Sequence, residues 1–227
     1  MIMLEPTQTL VLINPNSSTA ATAAMVALAK REAAGRVKVQ GISNTGAPAL
    51  LQTRQDMHEA AAGVVALGVE AATDERVAAL IVSAFSDPGL EELRVRVQIP
   101  VFGIGEAVFH EAARGGRQFG IVTVTPDAQL LASFRQKADA LGYGPQYCGA
   151  RVTAGDPQAL VASPEQLDVA LAKAVRASID LDSAQAVIMG GGPLSAAAIR
   201  LQPQFEVPLL VAVNAAARAA VRALAQP

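Results

Sequence analysis

Two short loops carry the residue types that could act on a small molecule. Ser83-Ala84-Phe85-Ser86 follows the apolar run Val77 to Val82 and leads into Asp87-Pro88-Gly89-Leu90. Ser83 and Ser86 can hydrogen-bond a substrate, but neither has a neighbouring His or Lys in sequence to make it a base or nucleophile. The second loop, Gly190-Gly191-Gly192-Pro193, follows Ala186 to Met189. A glycine turn ahead of a helix can present backbone N–H groups to a carboxylate or an enolate-like oxygen, commonly the largest electrostatic contribution in such reactions. The same glycines suit a tight strand-to-helix turn that needs unusual φ angles, and both readings can hold together.

Three further groups have candidate side chains. Asn14-Pro15-Asn16-Ser17-Ser18 can cap the helix that follows or turn side chains and N–H groups toward a ligand. Thr123 and Thr125 read as cap and ligand-hydroxyl positions, with Thr125 as the cap of the next helix. Glu106 and His110 are four apart and share a helix face, either as an exposed ion pair or as an acid/base pair contributing about 10²–10⁴-fold to a rate.

Elements that would position these residues follow from the apolar pattern. Strands are expected at Thr9 to Ile13, Val37 to Ile42, Val77 to Val82, Val101 to Ile104, Phe119 to Val124, Tyr147 to Val152, Ala186 to Met189 and Val207 to Val213. Helices are expected at Thr19 to Lys30 and Met57 to Ala72, after Asp87-Pro88, from Glu106 to about Arg114, from Thr125-Pro126 to Leu141, at Pro164 to Ile179 and from Asn214 onward. This alternation, with few hairpin signals, argues for mostly parallel sheets with helices on both faces. A spacing hints at duplication: Asn14 precedes Ala84 by 70 residues and Thr123 precedes Gly191 by 68.

Composition narrows the class. The 227 residues are 52% hydrophobic but only 4% aromatic, so the core is built mainly from Ala, Val and Leu. A net charge of −2 with scattered basic residues argues against a nucleic-acid partner. Cys148 is the only cysteine, which excludes an intramolecular disulfide and a zinc site built on thiols; it reads as a structural thiol. There is no signal-like N-terminus and no apolar run long enough to span a bilayer, so a soluble cytoplasmic chain without a membrane partner is expected.

The segments Ile13-Asn-Pro-Asn-Ser-Ser18, Phe85-Ser-Asp-Pro-Gly-Leu90, Pro100-Val-Phe-Gly-Ile-Gly-Glu-Ala107 and the strand before Gly190 together resemble the aspartate/glutamate racemase superfamily, and within it the hydantoin and allantoin racemase branch. The resemblance implies two pseudosymmetric α/β lobes, residues 1–100 with 206–227 and residues 101–205, with the last strand and helix returning to the first lobe. It implies a cleft between the lobes for a small hydantoin, ureide or amino-acid-like anion, in a homo-oligomer that uses no cofactor and no metal. Substrate-binding positions would be Asn14, Asn16, Ser17, Phe85, Glu106, Thr123, Thr125, Gly190, Gly192 and Pro193. The family moves a proton at a carbon next to a carbonyl with two cysteines, one on each face, because a thiol is tuned toward neutrality more easily than a hydroxyl. The corresponding positions here are Ala84 and Gly191, which carry no proton, so two-thiol racemisation is not supported. What the resemblance leaves is racemase, isomerase or decarboxylase-type chemistry through a carbanion or enolate without cysteines, or a non-catalytic homologue that kept the cleft.

Overall fold

The computed structural model describes residues 7–49, 51, 54–192 and 194–225. Its chain order begins β1 (Thr9–Asn14), α1 (Thr19–Ala33), β2 (Lys38–Ser43), α2 (Arg54–Ala71), β3 (Val77–Val82), α3 (Leu90–Arg96), β4 (Val101–Gly103) and α4 (Ile104–Ala112). It continues with β5 (Phe119–Thr123), α5 (Ala128–Ala140), β6 (Tyr147–Val152), α6 (Pro157–Ala162), α7 (Pro164–Asp180), β7 (Ala186–Met189), α8 (Leu194–Leu201), β8 (Leu209–Leu210) and α9 (Ala212–Leu224). The strands form two parallel four-stranded sheets with the same spatial order, β2-β1-β3-β4 and β6-β5-β7-β8. The chain divides into two compact units, one running to Ala107 and resuming at Val213, the other spanning Val108–Ala212.

In the first unit, β1 and β3 are central and apolar on both faces, as parallel strands covered by helices must be. Val11, Ile13, Leu80 and Val82 pack with Val64 and Val65 of α2 and Leu90 and Leu93 of α3. Leu10, Leu12 and Ile81, of opposite parity, are also fully buried. Each such side chain contributes about 1.5–3 kcal/mol on burial, which an exposed, solvent-screened pair such as Arg76–Asp74 does not match. Helix α9 joins this unit through Glu32 of α1, which accepts from Asn214 Nδ2 at 2.8 Å and pairs with Arg218 at 2.9 Å. In the second unit Phe119, Ile121 and Ile188 are fully buried, with Phe109 edge-on to Phe119 at 5.6 Å.

Several expected boundaries move. Helix α3 starts at Leu90 behind Gly89, not at Asp87-Pro88. Gly89 has φ 75, and a Cβ there would stand 2.7 Å from the Ala61 carbonyl oxygen of α2, so both conformation and contact demand glycine. The cap of α5 is Asp127, whose carboxylate accepts from Leu130 N–H at 2.7 Å; Thr125 is not the cap. Helix α6, capped by Asp156, adds an element to the expected set. The expected strand Val207 to Val213 shrinks to Leu209–Leu210, because α9 already begins at Ala212; an apolar run alone does not distinguish strand from buried helix. That strand pairs with β7 in the second sheet, so only α9 joins the first unit.

Candidate functional site

In each sheet the chain leaves two adjacent central strands in opposite directions. From β1 it crosses to β2 and from β3 to β4; likewise from β5 to β6 and from β7 to β8. The carboxyl ends of such a strand pair form the topological switch point where open α/β sheets bind ligands. The loops singled out in the sequence follow these strands: Asn14 to Ser18 after β1, Ser83 to Asp87 after β3, Thr123 to Thr125 after β5, and Gly190 to Gly192 after β7.

The two switch points repeat bond for bond. Ile13 is in register with Val82, and Val122 with Met189. The next amide closes the ladder in each: Ser83 N–H donates to Ile13 O at 2.9 Å, and Gly190 N–H to Val122 O at 2.8 Å. Ala84 and Gly191, one residue further on, therefore occupy equivalent positions. Asn14 and Thr123 match in the same way. Asn14 Oδ1 accepts from the Asn16 amide at 3.2 Å and Thr123 Oγ1 from the Thr125 amide at 3.3 Å. Each backbone carbonyl also accepts from the loop after the neighbouring strand, through Asn44 N–H at 2.9 Å and Thr153 N–H at 3.0 Å.

At the first switch point, Asn14 is buried and its Nδ2 donates to Asn16 Oδ1, Ser18 O and Thr22 Oγ1. Asn16 Oδ1 also accepts from Ser18 N–H at 2.9 Å, and Ser18 caps α1 by accepting from Ala21 N–H. These two asparagines shape the loop through their own side chains. Ser17 is half-buried and its amide donates to Pro48 O at 3.3 Å. Ser83 is buried, with its hydroxyl on Met25 Sδ at 3.2 Å, a weak acceptor that leaves the hydroxyl able to accept. Ala84 and Phe85 are half-buried, and Ser86 is exposed with its hydroxyl 3.9 Å from Met57 Sδ.

Asp87 plays a part its neighbours in sequence did not announce. Its carboxylate accepts from Gly105 N–H at 2.8 Å and Glu106 N–H at 2.7 Å, two first-turn donors of α4 that lack a partner within the helix. The β3 loop is thereby clamped to the start of α4, and Gly103 leaves room for the carboxylate where any Cβ would overlap it. Glu106 itself receives two bonds from Arg94, at 2.9 and 3.1 Å. Burial works against the Arg94 charge, but the Glu106 and Glu91 carboxylates outweigh it and raise its pKa. His110 Nδ1 lies 2.7 Å from Tyr143 Oη, so Glu106 and His110 each have a partner outside their own helix.

At the second switch point Thr123 is buried and Thr125 exposed. The glycine turn departs from its expected form. Gly190 and Gly192 lie outside the left-handed φ region, and a Cβ on Gly190 would stand 2.9 Å from Ile121 Cγ2, so close packing is what requires glycine there. The amides of Gly190 and Gly191 do not point out to a ligand: they donate to Val122 O and Met189 O, at 2.8 and 3.0 Å. A Cβ on Gly192 would meet nothing within 4 Å. Pro193 lies outside the described residues.

Cys148 is near the amino end of β6, held by Gln118 Oε1 and Gln146 O, with burial raising its thiol pKa. Four residues of strand, about 13 Å, separate it from Val152, where the β6 loop begins. Among the described residues no group of three or more His, Cys, Asp or Glu could hold a metal ion, and no helix is long and apolar enough to cross a membrane.

The Asp/Glu/Hydantoin racemase family model matches residues 10–220, nearly the whole chain. The chain belongs to this family. A hydantoin racemase of Rhizobium meliloti is 28% identical over 212 residues, covering 92% of this chain and 86% of the relative. Among solved structures, an allantoin racemase from Klebsiella pneumoniae superposes with a TM-score of 0.84 at 25% identity, covering 96% of this chain and 88% of that one. An unliganded arylmalonate decarboxylase shares the fold at TM-score 0.62 and 16% identity, covering 95% of this chain and 91% of that one. This chain, with its two parallel sheets of one strand order, thus shares its fold with these proteins.

Proposed function

We propose that the loops at the two switch points bind a small hydantoin, ureide or amino-acid-like anion, and that the chain carries out cofactor-independent carbon-acid chemistry of the racemase or isomerase type. The observation that carries this reading is the matched register of Ala84 and Gly191 at the carboxyl ends of β3 and β7, in a chain of the racemase family. Such ligands offer several carbonyl oxygens and N–H groups. The hydroxyls of Ser83, Ser86, Ser17 and Thr125 can meet them by donating or accepting, and the space at Gly192 admits a ligand group. Hydrogen bonds to the oxygen on which enolate charge develops lower the barrier without a thiol. Two-thiol racemisation is not part of this reading, since Ala84 and Gly191 exchange no proton. We read the protein as cytoplasmic and homo-oligomeric.

A second reading, a binding protein without turnover, is favoured by the lack of any proton-carrying side chain at those two positions. One experiment separates them. Chiral hydantoins, allantoin and acidic amino acids are incubated with the protein in deuterated water and followed by proton NMR. Loss of the α-proton signal of one compound supports catalysis. Saturable binding without exchange selects the second reading, and neither binding nor exchange overturns both.

A further inference from the structure

We propose that α7 is a self-association surface on which two copies of the chain pack antiparallel about a two-fold axis through Val169. This rests on the homo-oligomer part of the function proposed above and on no other part. One face of α7 is buried in its own unit through Leu167, Leu171, Ala174, Val175 and Ser178. On the opposite face Val169 is 58% exposed, with Glu165 one turn before it and Lys173 one turn after. Neither of these charges has an ion-pair partner among the described residues.

The spacing selects the geometry. Glu165 and Lys173 stand four residues to either side of Val169, about 6 Å along the axis each way. A two-fold axis through Val169 sets Glu165 level with Lys173 of the second copy, and Lys173 level with its Glu165. Contact of i with j and of j with i is what an isologous interface demands. Antiparallel helices about 8–10 Å apart bring these side chains within reach. A parallel in-register pairing would instead oppose Glu165 to Glu165, so the signs favour one direction.

A concavity makes room for the second helix. It measures about 520 Å³ and lies beside α7 against β6, the edge strand of its sheet, with Glu165, Val169 and Lys173 on one wall and Val152 and Thr153 on the other. Thr153 is 6% exposed, and its Oγ1 has no hydrogen-bond partner among the described residues. That oxygen is enclosed within the unit, so the contact with the second copy is made by Val169 and the charges around it. Arg151, on the same wall, is already held by Asp182 at 2.6 and 2.7 Å, which leaves Lys173 as the cation for the second copy's carboxylate.

The test combines light scattering and cross-linking on the full chain. Glu165→Lys and Lys173→Glu, taken singly, set like charges against each other twice per dimer and should weaken association by about tenfold or more; the double exchange should return it to within about threefold of the parent. Both positions are exposed, and circular dichroism confirms folding. In a Cys148→Ser background, Val169→Cys should form a covalent dimer on mild oxidation, because the axis brings each thiol onto its own copy. A parent chain that stays monomeric at tens of micromolar overturns both the surface and the homo-oligomer reading. An oligomer that ignores the charge exchanges, and whose Val169→Cys variant stays uncross-linked, overturns the surface alone. Deuterium exchange on a substrate is unaffected by either result, so the two proposals fail separately.

Discussion

Asp87 holds a backbone φ of 55 and directs its carboxylate to two successive amides of α4. Replacing it with Ala leaves both N–H groups short of their acceptor, and urea unfolding should show a loss of about 1–3 kcal/mol. Asp87→Asn keeps one acceptor oxygen and should lose less; equal losses would mean that the charge, not the geometry, holds the clamp. Cys148 is the contrasting residue, buried enough to raise its thiol pKa and placed at the strand end away from the loops. Cys148→Ser should leave ligand binding and any turnover within about threefold, under 1 kcal/mol. A loss of several hundredfold in a folded variant would move the chemistry to that thiol.

At the scale of elements, the glycines at two loops predict opposite behaviour. Gly89→Ala must adopt a positive φ and press against the Ala61 carbonyl, so it should destabilise by about 1–3 kcal/mol in thermal or urea unfolding. Gly192→Val meets open space; it should leave stability within about 0.5 kcal/mol while weakening ligand binding, as calorimetry would show. The strands were legible because runs such as Leu10 to Ile13 and Ala79 to Val82 are short, partly β-branched and apolar at every position, as strands covered on both faces are. Helix starts were less so. Asp-Pro-Gly and Thr-Pro-Asp each contain two residues able to cap; the α4 amides draw the Asp87 carboxylate away from α3, whereas Asp127 keeps to an amide of its own helix. The glycine turn was found in the sequence, but not the direction of its amides, because the ladder bond to Val122 O comes from β5, nearly 70 residues earlier. The matched side-chain bonds of Asn14 and Thr123 were present as a spacing, yet Asn and Thr share no letter that marks them as counterparts.

Across the whole molecule, one strand order used twice makes Ala84 and Gly191 a single position written in two halves. Restoring a thiol at both, as Ala84→Cys with Gly191→Cys, should create or raise racemisation of a chiral hydantoin measured by polarimetry, with little from either change alone. A folded double variant with no gain would argue that the site takes another class of substrate. The return of α9 to the first unit has a further consequence, for synthesis on the ribosome. The second unit is one uninterrupted stretch, Val108–Ala212, whereas the first lacks α9 until Val213 and the residues after it are made. At about 5–20 residues per second, the early unit waits roughly 5–20 s with Glu32 of α1 lacking Asn214 and Arg218. Nascent chains arrested with residue 212 outside the exit tunnel should therefore be cut by protease in the first unit while the second resists, and the last helix to be translated is the one that completes the first unit.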